Sequence, residues 1–366
     1  METNKKKRGQ IVKVGIVTIT NGENYGNRLQ NYAVQEALKD VGFQPETIHK
    51  ITNVFDAENS KYLWKLRVKR FLHYHLTQEE RRRLNFYRFT HTYITKSKFV
   101  IDQTVPMELD KEYSYFIAGS DQVWNPFLEY CTAENFLTFT KRQKKIAFSP
   151  SIAVNQIPKE REEEFRNWIS DFRLLSVREK QGAELIWNLC GRRAEVLADP
   201  TLYISAKQWR KMEKKVKVKQ NGYILAYFLG SCADEYRKYI EKLASTHNLI
   251  VFWLQTPEHF AIAPDEFLYL VDHAACICTD SFHGTIFSVL FHRPFLVFKR
   301  KENFADMSSR IDDLLALFQM KERTINTIKE NQIFKLNFKK TDSIIIQERE
   351  RMKKFLLKIR EGESNA

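Results

Sequence analysis

A strand, helix, strand pattern in residues 275–300 constrains the fold more than any other part of this chain. It begins with a short apolar run typical of a buried strand, followed by Asp280 and Ser281, which are residues that often cap helices. Residues 283–292 then have helical periodicity, and residues 295–298 form a second apolar run. Two strands joined through a helix are a unit of a parallel sheet, and the turn after the first strand opens at the edge where ligands bind.

The same alternation extends along most of the chain and divides it into two halves. Apolar runs alternate with helical segments on both sides of residues 205–221, a stretch rich in lysine. We therefore predict an α/β protein with one Rossmann-like domain at residues 1–205 and another at residues 206–366. A terminal helix is predicted at residues 342–360, because its apolar residues recur near one face.

Composition and apolar patterning exclude several classes of protein. With 43% hydrophobic and 28% charged residues the chain is typical of a globular protein, and no apolar run is long enough to be a membrane span. We expect no signal peptide, since the polar and basic start leads directly into a predicted strand. The five cysteines are an odd number without a close-spaced framework. They predict a reduced, cytoplasmic protein without a metal site.

Much of the net charge of +14 comes from an insertion at residues 61–98, where eleven Lys or Arg residues accompany two Glu residues, an excess of nine. The first half of this segment predicts a basic helix with an apolar face made by Trp64, Val68, Phe71, Leu72 and Leu76. Such a helix either packs on the domain or docks on an anionic membrane surface. Nucleic acid is not the expected partner, because no zinc finger, RNA-recognition or helix-turn-helix pattern accompanies the charge.

Polar side chains follow several predicted strands at the edge where ligands bind. Asp121 follows a strand at residues 113–118, and Arg178 and Asp199 each follow a later strand. These residues could bind a ligand together. The structural alternatives are an ion pair between Arg178 and Glu179 and a simple turn at Asp199.

His283 lies at the turn between the strand and the helix of residues 275–300. Free backbone N–H groups at a helix N-terminus attract anions, so this turn is a predicted anion site. An imidazole there could transfer protons near neutral pH. A buried structural histidine is the alternative.

Five short motifs occur in series between residues 13 and 318. They are residues 25–33 (YGNRLQNYA), 119–125 (GSDQVWN), 176–179 (SVRE), 199–202 (DPTL) and 280–284 (DSFHG). Together they resemble the polysaccharide pyruvyl transferase family. The resemblance implies a GT-B-like fold, in which two Rossmann-like domains face a cleft. It also implies transfer of a pyruvyl group from phosphoenolpyruvate to two hydroxyls of a sugar, giving a cyclic ketal and phosphate.

The resemblance also implies the site residues. His283 and Asp121 are the expected catalytic residues, with phosphoenolpyruvate as co-substrate and neither a cofactor nor a metal. The expected substrate-binding residues are Asn27, Gln30, Ser120, Gln122, Arg178, Asp280, Ser281, Gly284 and Arg310. Many family members have an arginine where this chain has Ser281, so Arg310, Lys299 or Arg300 would have to supply that charge.

The implied acceptor is a sugar of a surface polysaccharide (a capsule or exopolysaccharide) or its lipid-linked oligosaccharide precursor. A lipid-linked acceptor would bring a cytoplasmic enzyme to the inner face of the plasma membrane, where the basic insertion could contact anionic lipid. Two alternatives stay open. One is a GT-B-like glycosyltransferase that uses a nucleotide sugar, and the other is a non-catalytic glycan-binding module on the same fold.

Overall fold

The computed structural model describes residues 12–20, 22–51, 60–102, 104–218, 222–300 and 308–361. Within these residues the strands form two parallel sheets, one of seven strands and one of four. Each sheet has helices packed on it, because its strands are buried and its crossover connections are helical. The predicted α/β class is confirmed.

The first sheet has the order β3-β2-β1-β4-β5-β6-β7. Val14 and Ile16 of its interior strand β1 are fully buried, as expected for a β-branched run in a parallel sheet. In chain order its strands are β1 Val12–Val17, β2 Phe43–Lys50, β3 Lys96–Ile101, β4 Tyr115–Ala118, β5 Lys145–Ala147, β6 Leu174–Val177 and β7 Glu195–Val196.

The helices that accompany the first sheet include the one that begins beside the predicted ligand edge. They are α1 Tyr25–Asp40, α2 Ser60–Phe71, α3 Gln78–Tyr93, α4 Leu109–Glu112, α5 Glu162–Ser170, α6 Lys180–Cys190 and α7 Ala206–Arg210. Helix α1 is capped by Asn24, whose side chain accepts from the Asn27 amide at 3.3 Å. The sequence predicted Asn27 as this cap. That prediction is wrong because the helix starts at Tyr25, one turn earlier.

The first half of the basic insertion forms helix α2, where the sequence predicted a basic helix, and the second half forms α3 and the strand β3, which were not predicted. Leu63 and Leu66 of α2 pack with Leu76 and Leu84 in a small core of their own. The sequence predicted that Leu76 and Trp64 share one apolar face. That prediction is wrong, because Leu76 packs with the buried leucines. The insertion ends in β3, which pairs with β2 at the edge of the first sheet.

The second sheet has the order β11-β10-β8-β9, with β8 Tyr223–Tyr227, β9 Ile250–Trp253, β10 Cys276–Thr279 and β11 Phe295–Val297. Its helices are α8 Asp234–Thr246, α9 Pro264–Asp272, α10 Phe282–Leu290 and α11 Ser308–Leu317. The strand, helix, strand pattern of residues 275–300 forms β10, α10 and β11 as predicted. Helix α9 was not predicted from the sequence.

The terminal helix, α12 Lys339–Glu361, returns to the first sheet. Its Phe355 ring stacks on Phe148 at 6.1 Å between ring centroids, and Arg349 donates to the carbonyls of Leu202 and Ile204. The helix therefore packs the last part of the chain against the first Rossmann-like unit. The domain boundary at residues 205/206 stays a prediction.

Candidate active site

A cavity of about 260 Å³ lies between the two sheets, at the carboxyl ends of their strands. The first sheet contributes residues that follow β1 and β4, and the second contributes residues that follow β8, β10 and β11. The lining is Asn24, Asp121, Gln122, Leu229, Asp280, Ser281, Phe282, His283, Val297, Phe298, Lys299, Arg300, Arg310, Ile311, Asp312 and Thr324. The two Rossmann-like units thus face a cleft, as in the GT-B-like arrangement that was predicted.

His283 lies in the first turn of α10 and lines the cavity. Ser281 caps this helix, since its hydroxyl accepts from the Gly284 amide at 3.2 Å. The imidazole lies directly against the backbone of α1, because a Cβ built at Gly26 would lie 2.0 Å from the His283 Nδ1. Gly26 is therefore the residue that lets the two units approach at this point.

Behind His283 lies a buried carboxylate, Asp199. Its Oδ2 is 3.7 Å from the His283 Nε2 and 2.6 Å from the Arg178 guanidinium, while its Oδ1 accepts from the Thr201 amide and hydroxyl. Burial opposes ionisation, but His283, Arg178 and the Thr201 amide together lower the pKa of Asp199 well below its ordinary value. An ionised Asp199 places a negative charge 3.7 Å from the imidazole of His283.

Asp121 lines the same cavity from the first unit. Its backbone has a φ of 74°, in the left-handed region that aspartate adopts more readily than most residues. Its carboxylate accepts from Asn27 and from the Gln122 amide, and it lies 3.6 Å from Arg178. A non-glycine residue held in this conformation at a cavity wall is typical of functional sites.

Arg178 is buried and does not line the cavity. Its side chain is 2% exposed and stacks on the Phe282 ring at 4.5 Å, with Asp199 and Asp121 as its ion-pair partners. Burial alone would lower the pKa of Arg178, but Asp199, Asp121 and Glu179 raise it above its ordinary value. This arginine holds two carboxylates in place beneath the cavity.

Arg310, on α11, is the buried cation that does line the cavity. When the side-chain amide of Gln122 is turned so that its oxygen faces Arg310, the guanidinium donates to that oxygen at 2.8 and 2.6 Å. The Arg310 Nε has no partner within the described residues. Burial and the neighbouring charge of Arg178 lower the pKa of Arg310 to about 10. A guanidinium that lines a cavity and has no ion-pair partner among the described residues is suited to bind an anion.

The other predicted site residues divide into two groups. Asp280 and Ser281 line the cavity, and Asp280 accepts from Arg300 at 3.1 Å. Gln30, Ser120 and Gly284 lie outside its lining, among internal contacts. The Gln30 amide donates to Thr18 and to the Asn27 carbonyl, the Ser120 hydroxyl donates to Asp199 at 3.5 Å, and a Cβ at Gly284 would lie 2.7 Å from Thr279.

Asn24 and Phe282 were not predicted as site residues, whereas Asp199 was predicted at the ligand edge of the sheet but not as a neighbour of His283. Asn24 and Phe282 line the cavity, and Asp199 connects His283 to Arg178. The sequence offered a signal for Asp199, which follows a strand before a proline, and for Phe282, which lies inside the motif at residues 280–284. It offered none for the contact between Asp199 and His283, which are 84 positions apart.

A family model for polysaccharide pyruvyl transferase matches residues 24–302, which is most of the chain. This chain belongs to the polysaccharide pyruvyl transferase family. The motifs at residues 25–33, 119–125, 176–179, 199–202 and 280–284 fall inside or at the start of the match. The family is one of transferases, so the chain is assigned to that class of enzyme. No curated protein sequence matches it significantly.

Solved structures with a similar fold cover almost the whole chain. A putative UDP-N-acetylglucosamine 2-epimerase from Listeria monocytogenes has a TM-score of 0.50 at 9% identity, covering 93% of this chain and 94% of that one. The glycosyltransferase SnogD from Streptomyces nogalater has a TM-score of 0.34 at 11% identity, covering 95% of each chain. The ADP-heptose LPS heptosyltransferase II of E. coli has a TM-score of 0.35 at 11% identity, covering 92% of this chain and 99% of that one. At these identities the likeness concerns the fold alone, and it is the epimerase that supports it.

Proposed function

We propose that this transferase moves the pyruvyl group of phosphoenolpyruvate onto two hydroxyls of a sugar, forming a cyclic ketal and releasing phosphate. The observation that carries the proposal is the pair formed by Arg310 and His283, an incompletely paired cation and an imidazole on the walls of one cavity. Phosphoenolpyruvate requires both kinds of group, because it carries two anionic groups and reacts through proton transfers.

The donor's anionic groups are proposed to bind at the second unit's side of the cavity. Arg310 replaces the arginine that many family members have at the position of Ser281, and Lys299 and Arg300 lie on the same wall. The N-terminus of α10 adds free backbone N–H groups beside them. Arg178, which the sequence predicted to bind the donor directly, is proposed here to act through Asp121 and Asp199.

The proton transfers are proposed to use His283 and Asp121. In the first step a sugar hydroxyl adds to the enol carbon that bears the phosphate, its proton passes to a base, and the CH₂ carbon takes a proton and becomes a methyl group. A second hydroxyl of the same sugar then displaces phosphate from that carbon and gives up its proton to a base or to the departing phosphate, which completes the ketal. The reaction involves no net oxidation or reduction, so it requires no redox cofactor. The proposed steps use no metal.

His283 is the proposed acid that protonates the CH₂ carbon, because its imidazole lines the cavity and the Asp199 carboxylate lies behind it. Asp121 faces the cavity from the other unit and is the proposed base for the sugar hydroxyl. The two groups lie on opposite units, so donor and acceptor would meet between them. The proposed acceptor is a sugar of a polysaccharide or of its lipid-linked precursor.

The proposal is tested by incubating the protein with phosphoenolpyruvate and a panel of sugars and lipid-linked oligosaccharides. Phosphate release that depends on the acceptor, with a mass gain of one pyruvyl ketal on the same acceptor, is the expected result. Parallel reactions with nucleotide sugars serve as the comparison. Transfer of a glycosyl group with nucleotide release, and none from phosphoenolpyruvate, would refute the proposal.

A further inference from the structure

Helix α2 has two apolar faces, and only one of them is covered. Leu63 and Leu66 are buried against α3, whereas Trp64 and Phe71, on the opposite side of the helix, are 65% and 81% exposed. Leu72, which follows the helix, and Tyr74 in the turn after it are also exposed. Packing of the helix on the protein, one of the two alternatives that the sequence left open, therefore explains the buried leucines. It does not explain the aromatic face, which is exposed to solvent.

Cations surround this aromatic face. Lys61, Lys65 and Lys69 recur every four residues along one side of the helix, and Arg67 lies on the other side. Lys69 pairs with Glu80 at 2.7 Å, but Lys61, Lys65 and Arg67 form no ion pair with any residue that the structure describes. Exposed aromatic side chains between unneutralised cations match a surface with apolar chains beneath anionic headgroups.

We infer that the exposed face of α2 docks the enzyme on an anionic lipid bilayer, with Trp64, Phe71 and Leu72 at the boundary between headgroups and acyl chains. None of the helices in the described part of the chain has the length and apolar character of a membrane span. The attachment is therefore peripheral and depends on a patch of side chains. It does not depend on the proposed reaction, although a lipid-linked acceptor would lie at the same surface.

The second unit holds this patch in a fixed position on the enzyme. Arg82 of α3 donates to the Phe260 carbonyl and to the Tyr25 hydroxyl, and Arg88 pairs with Asp265 through two contacts of 3.0 Å. Helix α3 therefore connects the helix pair to both units. A docked α2 would fix the orientation of the whole enzyme on the bilayer.

Co-sedimentation with vesicles tests the inference. The full chain is expected to bind vesicles of phosphatidylcholine mixed with phosphatidylglycerol and not those of phosphatidylcholine alone, and binding should fall as salt rises. Replacing Lys61, Lys65 and Arg67 with glutamine should weaken binding about 10²-fold, since each cation contributes roughly a factor of five. The double variant Trp64→Ala, Phe71→Ala should also bind more weakly, while its melting temperature stays unchanged because both side chains are exposed.

Two matched variants serve as controls. Lys211, Lys238 and Lys242 are exposed on other elements, and replacing them with glutamine removes the same charge without touching α2. Trp187→Ala removes a half-exposed tryptophan from α6. Both control variants should bind like the parent. The inference is overturned if the parent does not prefer anionic vesicles, if the controls lose as much binding as the α2 variants, or if Trp64→Ala instead dissociates a dimer of the parent.

Discussion

At the scale of single residues, the proposed acid–base role of His283 is supported by the surroundings of its side chain more than by its position in a motif. Its ring is held between the Gly26 backbone and the buried Asp199 carboxylate, and it borders a cavity. A histidine with only a structural role is expected to be enclosed by the protein, whereas this imidazole borders a cavity that a substrate could enter. The arrangement favours the acid–base interpretation that the sequence left open.

Replacing His283 with glutamine should lower the turnover of pyruvyl transfer by about 10² to 10⁴, because the amide cannot transfer the proton. The matched variant is His292→Gln, which changes a histidine at the other end of α10 whose partner is Asp342. Steady-state kinetics and a melting curve measure both. Near-parent turnover in a folded His283→Gln would remove this residue from the proton transfer.

Arg310 gives the second prediction at this scale, which concerns binding. Phosphate and phosphoenolpyruvate should raise the melting temperature of the parent, because an anion pairs with the buried guanidinium. Arg310→Met should lose most of that rise while its own melting temperature stays close to the parent's, since an apolar side chain avoids burying an incompletely paired charge. Arg349→Met, away from the cavity, should melt earlier but keep the full rise. An unchanged rise in Arg310→Met would exclude this residue from the anion site.

At the scale of elements, the site depends on how closely α1 and α10 approach each other. Gly26 lies in the first turn of α1, and the His283 ring occupies the space that a side chain at this position would need. Neither helix contains the whole site. The geometry of the candidate site is therefore a property of the contact between the two units.

Gly26→Ala tests this contact. Alanine favours a helix by about 1 kcal/mol over glycine, yet the added Cβ would displace the imidazole, so we expect lower turnover and no gain in stability. Gly182→Ala in α6 is the helical control, because its Cβ would lie no closer than 3.3 Å to a side-chain atom. Turnover equal to the parent's in Gly26→Ala would show that α1 and α10 do not position His283.

Much of the fold follows from local patterns, whereas the site does so only in part. The strands at residues 275–279 and 174–177 were predictable because apolar runs end in capping or polar residues. Helix α9 was not predicted, although Pro264 and the acidic Asp265 and Glu266 mark its first turn. Strand β3 was not predicted because its apolar alternation is weak. The pairing of Asp199 with His283 depends on two units meeting, and no pattern within either half carries that information.

At the scale of the whole molecule, α12 connects the end of the chain to the first sheet. Met352, Phe355, Leu356 and Ile359 are buried on it, and the Phe355 ring stacks on Phe148 of the first unit. The cavity lies between units that this helix joins. Its packing should therefore affect the stability of both.

Phe355→Ala should lower the free energy of unfolding by about 3–5 kcal/mol, the usual cost of removing a buried phenylalanine side chain. Ile346→Ala, on the same helix but 57% exposed, should change it by less than about 0.5 kcal/mol. Denaturant titration measures both variants. Equal stability of the two would mean that α12 contributes little to the joint between the units.

The most direct test of pyruvyl transfer is the mass of the product formed from phosphoenolpyruvate and its acceptor in H₂O and in D₂O. Ketal formation turns the donor's CH₂ group into a methyl group, and the added hydrogen comes from solvent. The account predicts release of phosphate, a mass gain of one pyruvyl group on the sugar, and one additional deuterium in that group when the reaction runs in D₂O. A product that carries no pyruvyl group, or one whose pyruvyl group takes up no solvent hydrogen, would contradict it.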